Sequence, residues 1–287
     1  MRVLRNIPLK GADERSFLLD CYCKTAKPLS TVLFVHGFKG FKDWGMWDAI
    51  ARYFANAGFL FVKFNFSHNG TTLKSPSQFN DLVAFGNNNY TKEITDIDAV
   101  LEWLFDKPKE LAFIDQMPLS LFYIGHSRGG GLGIVKTATD PRVTGLITWA
   151  AVSHLDYAWR KEGFVEQWKN DGVYYASNAR TKQQMPLYFQ FYEDFKLAGR
   201  SYDTAYMAAH LKQPVLIIHG TNDPAVTEQA AYELKEWLGS KAQMQLIKGA
   251  NHVFGGSHPY FEKGLPSHAQ ILVQNSITFI QQVLSNS

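Results

Sequence analysis

Along the chain, short continuous apolar runs alternate with stretches in which apolar residues recur every three or four positions. Thr31-Val32-Leu33-Phe34-Val35, Phe59 to Phe66, Leu119 to Ile124 (with Ser120 inside it), Val143 to Trp149, Pro214 to Ile218 and Met244 to Ile247 are of the first kind. Such runs predict strands buried on both faces. Trp47, Ile50, Ala51 and Phe54 lie at helical spacing until Gly58 stops them, and Ile94, Ile97, Val100, Leu101 and Leu104 mark a second helical face. Helices are also predicted from Arg128 to Thr139, around Ala230, Leu234 and Trp237, and from about Pro266 to Leu284. Residues 2–8 and 16–24 alternate as two antiparallel starting strands around the turn Lys10-Gly11-Ala12-Asp13-Glu14. The rhythm predicts an α/β domain: a mostly parallel twisted sheet of about eight strands with helices on both faces. Ser67 to Tyr90 reads as a long polar loop, a length that usually signals function or mobility.

The rhythm breaks at Ala150. Residues 152–210 carry no buried-strand run, yet 13 of these 59 positions are Phe, Trp or Tyr, against 28 of the other 228. That surplus predicts an inserted cap with a small core of its own rather than a disordered loop. The expected organisation is a core domain of residues 1–151 and 211–287, with a cap subdomain at 152–210. Within the cap, Gly172 to Ala176 suits a short strand. Leu187, Phe191 and Phe195 fall on one helical stripe behind Pro186, with Gly199 as its stop.

The 287 residues suit one large domain or two small ones, and 46% hydrophobic content provides a sizeable core. The net charge is +3, with no run of five like charges, so a nucleic-acid footprint and a polybasic membrane patch are both unexpected. Cys21 and Cys23 stand two apart on a predicted strand, too close for an ordinary bridge, and read as buried thiols; a lone C-x-C makes a poor metal site. Neither a metal nor a cofactor is expected. The N-terminal residues contain no long apolar segment and no stretch reaches membrane-spanning length, so a soluble, cytoplasmic protein is expected.

Candidate chemistry centres on Gly125-His126-Ser127-Arg128-Gly129, between a predicted strand and a predicted helix. Strand, sharp turn and helix is the setting in which G-x-S-x-G presents a nucleophile. The serine needs a base. Of nine histidines, His252 and His258 follow the last predicted strand; His252, in the loop directly after it, is the first choice and His258 the reserve. The base needs a carboxylate, and Asp223 in His219-Gly220-Thr221-Asn222-Asp223-Pro224 follows the preceding strand. The order Ser127, Asp223, His252 suits a triad at the carboxyl edge of a parallel sheet. Two backbone amides are expected to hold an oxyanion: that of Arg128, directly after the nucleophile, and that of Phe38 in His36-Gly37-Phe38.

These motifs resemble the α/β-hydrolase superfamily over nearly the whole chain. HGFKGFKDWG, FNFSHNGTT, GHSRGGG, HGTNDPAV and GANHVFGG together are similar to its cinnamoyl and feruloyl esterase branch, with dienelactone-hydrolase-like and serine-aminopeptidase-like neighbours. The resemblance implies an inserted cap and hydrolysis of small-molecule carboxylic esters through an acyl-enzyme on Ser127. Two departures stand out: dienelactone hydrolases use a cysteine nucleophile, and the esterases usually carry Gln where this chain has Arg128. The alternatives are a serine peptidase or acyl aminopeptidase, which needs cap acids such as Glu162, Glu166, Asp171, Glu193 or Asp194 to hold an amine, and a non-catalytic binding protein on the same fold. The cap is expected to select the acyl group, with Trp168, Tyr174 and Tyr175 as a stacking slot for aromatic acids. The sequence leaves monomer and homodimer both open.

Overall fold

The computed structural model describes residues 1–106 and 108–286. In chain order the elements are β1 (Arg2–Lys10), β2 (Ser16–Cys23), β3 (Thr31–Val35), α1 (Trp47–Asn56), β4 (Leu60–Phe64), α2 (Leu82–Gly86), α3 (Tyr90–Phe105), β5 (Leu121–His126), α4 (Arg128–Thr139) and β6 (Gly145–Trp149). There follow α5 (Phe164–Asp171), β7 (Val173–Ser177), β8 (Gln184–Tyr188), α6 (Gln190–Ala198), α7 (Thr204–His210), β9 (Val215–Gly220), α8 (Gln229–Leu238), β10 (Ala242–Ile247) and α9 (Ser267–Ser285).

Among the described residues, eight strands form one sheet in the order β1-β2-β4-β3-β5-β6-β9-β10. The β1–β2 and β2–β4 pairs are antiparallel and the rest parallel. Alternation along each strand divides the core between two faces. Val32, Phe34, Phe122, Ile124, Ile147 and Trp149 pack with Trp47, Ile50 and Phe54 of α1 and Leu272, Val273 and Ile277 of α9. Leu33, Val35, Leu121, Tyr123 and Leu146 pack on the other face with Ile97, Val100 and Leu101 of α3, Leu132 and Val135 of α4 and Leu234 of α8. Both helix layers therefore bury one face of every central strand, which is why those strands read as unbroken apolar runs. Cys21 and Cys23 are free and buried.

The winding positions the site. The sheet runs from β3 to β4 in one direction and from β3 to β5 in the other. The loops leaving the carboxyl ends of β3 and β5 thus diverge and open a crevice, the place where such sheets bind ligands.

Three local expectations are corrected. Leu119 is 91% exposed, and the strand before Ser127 begins only at Leu121. Residues 67–90 are not a solvated loop: Ser67, His68, Asn69, Thr71, Asn88 and Asn89 are buried, and α2 lies within the segment. Its polar side chains are spent on internal bonds, Asn65 Nδ2 to Thr71 Oγ1 at 3.0 Å and Ser67 Oγ to Asp96 Oδ2 at 2.8 Å among them. In the segment between β6 and β9, Leu187 lies on β8 opposite Tyr174, not on a helix with Phe191 and Phe195. Pro186 is tolerated there because a two-stranded ribbon leaves half of each strand's amides unpaired.

Candidate active site

β5 ends at His126, and Ser127 turns the chain into α4 with φ 56° and ψ −121°. L-residues rarely adopt such a backbone, so the turn is strained, and the packing around it holds it. The Ser127 amide donates to the Trp149 carbonyl at 2.9 Å, and the Ser127 carbonyl accepts from Gly130 at 3.0 Å. A methyl group at Gly125 would sit 2.3 Å from the Gly129 carbonyl oxygen, and one at Gly129 would sit 2.4 Å from that of Val35. Both glycines are therefore required by the crossing of helix and strand. Gly37 meets the same turn from the loop after β3: a methyl there would lie 2.8 Å from Ser127 Cβ.

The loops after β9 and β10 carry Asp223 and His252. His252 Nδ1 donates to Asp223 Oδ2 at 2.7 Å. The other carboxylate oxygen accepts from the amides of Ala225 at 2.8 Å and Val226 at 3.0 Å. Burial pushes the Asp223 carboxyl up, but the bonds from His219 and His252 and the Val226 amide outweigh it and hold the group well below the usual carboxylate range. The acid is thus a fixed anion that orients the His252 ring and leaves Nε2 as the free acceptor. His258 has a different environment: its Nδ1 accepts from the Gly45 amide at 2.8 Å, and its ring stacks on Trp44.

Ser127 and His252 line one cavity of about 550 Å³. Phe38, Trp44 and Trp47 contribute rings to it, and Asn178, Ala179 and Arg180 reach it from the turn between β7 and β8. Among the described residues, the amides of Phe38 and Arg128 have no protein acceptor. The side chain of Arg128 turns away from this chemistry: it is 5% exposed, pairs with the fully buried Glu93, and lies over the Phe38 ring at 4.7 Å. Burial pushes the Glu93 carboxyl up, opposed by Arg128 and by Asn88.

The three aromatic residues expected to contact substrate lie elsewhere. Trp168 is buried, its Nε1 donating to the Leu187 carbonyl at 2.8 Å and its ring meeting Phe164 and Phe189. Tyr174 and Tyr175 are 39% and 53% exposed on β7, and neither lines the cavity. Aromatic content alone did not distinguish rings that build the segment from rings that face a ligand. Asn178 and Arg180 went unread because a turn tip leaves no periodic signal. Trp47 is visible in the sequence as the first apolar residue of a helical face but not as cavity wall, and Trp44 stands only within the motif HGFKGFKDWG.

Asp20, Asp43 and Asp48 are the described carboxylates close enough to share a cation. Their oxygens already hold the buried ammonium groups of Lys42 and Lys63, Lys42 Nζ lying 2.9 Å from Asp20 and Lys63 Nζ 2.7 Å from Asp43. The cluster is therefore a closed ion network rather than a metal cradle.

The BD-FAE family model matches residues 19–238. The chain belongs to the BD-FAE family. Its fold is similar to that of Est1E from Butyrivibrio proteoclasticus, with 14% identity, coverage of 98% of this chain and 100% of that one, and a TM-score of 0.71. The structure described as ferulic acid bound to Est1E gives 16%, 96%, 99% and 0.73 in the same order. The monoacylglycerol lipase of Paleococcus ferrophilus gives 18%, 94%, 99% and 0.65. At these identities the likeness is one of fold, and the fold is that of the α/β-hydrolases. No curated protein matches the sequence. Among the described residues, no helix of this BD-FAE member is long and apolar enough to cross a membrane.

Proposed function

We propose that the protein is a serine carboxylesterase that works through an acyl-enzyme. The observation that carries this reading is the 2.7 Å bond from His252 Nδ1 to Asp223, with His252 and the strained Ser127 on the wall of one cavity. In the proposed reaction His252 Nε2 takes the Ser127 proton as Oγ attacks the ester carbonyl. The amides of Phe38 and Arg128 receive the oxyanion, and the protonated ring then releases the alcohol. Water repeats the cycle on the acyl-enzyme.

The segment 152–210 is proposed to act as a cap, since its β7–β8 turn contributes cavity wall. Aromatic acyl esters are proposed as good substrates, with Phe38, Trp44 and Trp47 as the rings that would stack on them. Family membership and the ferulic acid in the Est1E structure point the same way. The peptidase reading finds no support in the cavity, because among the described residues no Asp or Glu lines it to hold a substrate amine.

The test is fluorophosphonate labelling with turnover of hydroxycinnamoyl and straight-chain esters. Ser127→Ala is expected to fold, to resist labelling and to lose hydrolysis by about 10⁴-fold or more. Labelling of that variant at the wild-type rate, or an inert wild type, sinks the proposal.

A further inference from the structure

The turn joining β7 and β8 presents unused donors to the cavity. Its frame is closed by the Asn178 amide bonding to the Gln183 carbonyl at 2.9 Å and the Lys182 amide bonding to the Asn178 carbonyl at 2.8 Å. Two ties hold the turn over the sheet. Gln183 Nε2 donates to the Phe79 carbonyl at 2.9 Å, and Lys39 Nζ donates to the Ser177 carbonyl at 2.8 Å. The tip, Asn178-Ala179-Arg180, thereby becomes wall of the same cavity as Ser127 and His252.

Asn178 is 7% exposed. Its Oδ1 is spent within the turn, accepting from the Arg180 amide at 3.2 Å, while its buried Nδ2 has no hydrogen-bond partner. An unpaired buried amide is costly, and one on a cavity wall fits a ligand acceptor. Arg180 lines the same cavity, and its guanidinium lies 5.4 Å from the Phe41 ring centre and 5.8 Å from that of Phe79. Those faces hold the group in place but supply no counter-charge. No described carboxylate pairs with it, and desolvation pulls its pKa below the ordinary value with no carboxylate to raise it again. His258, on the same wall, has its own pKa lowered by burial and by the Arg180 charge. Among the described residues, no Asp or Glu lines the cavity. Arg128, the other guanidinium nearby, is already neutralised by Glu93.

Resting on the esterase reading, we infer that the substrate carries an anionic group, a carboxylate, which Arg180 and Asn178 Nδ2 receive at the mouth of the cavity. A planar guanidinium beside an amide donor matches a carboxylate's two oxygens. The anion belongs either to the acyl group or to the leaving alcohol, and both present the same chemistry to the turn.

Binding to Ser127→Ala protein, measured by calorimetry, decides the matter without relying on turnover. Two matched pairs are compared: monobenzyl glutarate with benzyl methyl glutarate, and 4-acetoxybenzoate with its methyl ester. The charged member of one pair is expected to bind about tenfold tighter, the low end for a charge-assisted bond because Arg180 is exposed. The pair showing the preference tells which side of the ester bears the charge. In Ser127→Ala/Arg180→Ala the preference should vanish, and in Ser127→Ala/Arg180→Lys part of it should return. Equal binding of charged and neutral members, or a preference that survives loss of Arg180, overturns the inference. Wild-type turnover of the same four esters is read separately: a wild type inert toward all of them, with the binding preference intact, removes the esterase reading and leaves the anion site standing.

Discussion

His126 Nε2 donates to the backbone carbonyl of His252 at 2.8 Å, joining the residue before the elbow serine to the loop that carries the proposed base. The two ring centres lie 4.8 Å apart, and that of Trp47 lies 5.2 Å from His126. Burial drives the His126 pKa down to about 3, so the ring stays neutral and serves as a fixed donor.

His126 is accordingly expected to act as a positioning residue. His126→Phe should keep the packing, lose the bond and lower kcat about tenfold with a smaller change in KM, because a displaced base costs chemistry more than binding. His126→Gln, which retains a donor, should recover part of the loss. Steady-state kinetics on one ester checks both variants, and equal losses in the two would argue for packing alone.

Asp223 and His252 should behave as one unit. Asp223→Asn is expected to lower kcat by about 10⁴, and the double variant with His252→Ala should be little worse than the poorer single one. If the two losses multiply in full, the residues do not cooperate. His258→Ala is the control: its ring faces Trp44 and Phe41, so loss of all activity there would move the base to His258.

Gly37→Ala should disable the site from the opposite loop. Its methyl would lie 2.8 Å from Ser127 Cβ and 3.0 Å from the His126 carbonyl oxygen. The loop must retreat, carrying the Phe38 amide with it. A drop in kcat of about 10²-fold or more is expected, the scale of a lost oxyanion donor. Unchanged kcat would show that the Phe38 amide takes no part.

Arg128→Gln tests the buried pair. It should leave the Phe38 and backbone geometry of the elbow in place but strand Glu93, whose Oε2 already lacks a hydrogen-bond partner. A loss of about 3–5 kcal/mol in unfolding free energy is expected, with recovery in Arg128→Gln/Glu93→Gln. Denaturant titrations measure it, and a stable single variant would count against the pair as a structural requirement.

His36 should make stability depend on acid. Burial pulls its pKa down to about 4, and its Nδ1 donates to the Gly37 carbonyl at 2.9 Å in the neutral ring. The unfolded chain takes up the proton near pH 6.5 while the folded one refuses it until about 4. The histidine's share of stability is therefore complete above pH 6.5 and is lost as pH falls towards 4, by about 1.4 kcal/mol per unit. The stability difference between wild type and His36→Asn should shrink by that slope, other titrating groups cancelling. A difference independent of pH would show that His36 already protonates in the folded protein.

Sequence alone determined the layering. Unbroken apolar runs such as Thr31 to Val35 can only be strands covered on both sides, and the helical stripes at Trp47 to Phe54 and Ile94 to Leu104 supply the covers. Local chemistry was legible for the same reason: the Ser127 turn and its glycines depend on neighbours close in sequence. The burial of residues 67–90 is not legible in the sequence because several of their polar side chains bond partners outside the segment, Ser67 to Asp96, Asn88 to Glu93 and Asn89 to Gln190. Tertiary structure alone decided which rings face the cavity. Trp168 and Trp44 are equally apolar on paper, but one is buried in the core that continues from the sheet and the other walls the cleft. It also decided the fate of the two arginines. Arg128 follows the serine yet is drawn inward by Glu93, whereas Arg180, 53 positions beyond the serine in sequence, is carried to the cavity by a two-stranded ribbon. A charge's partner is set by what folding brings within a few ångströms of it, and sequence distance does not encode that.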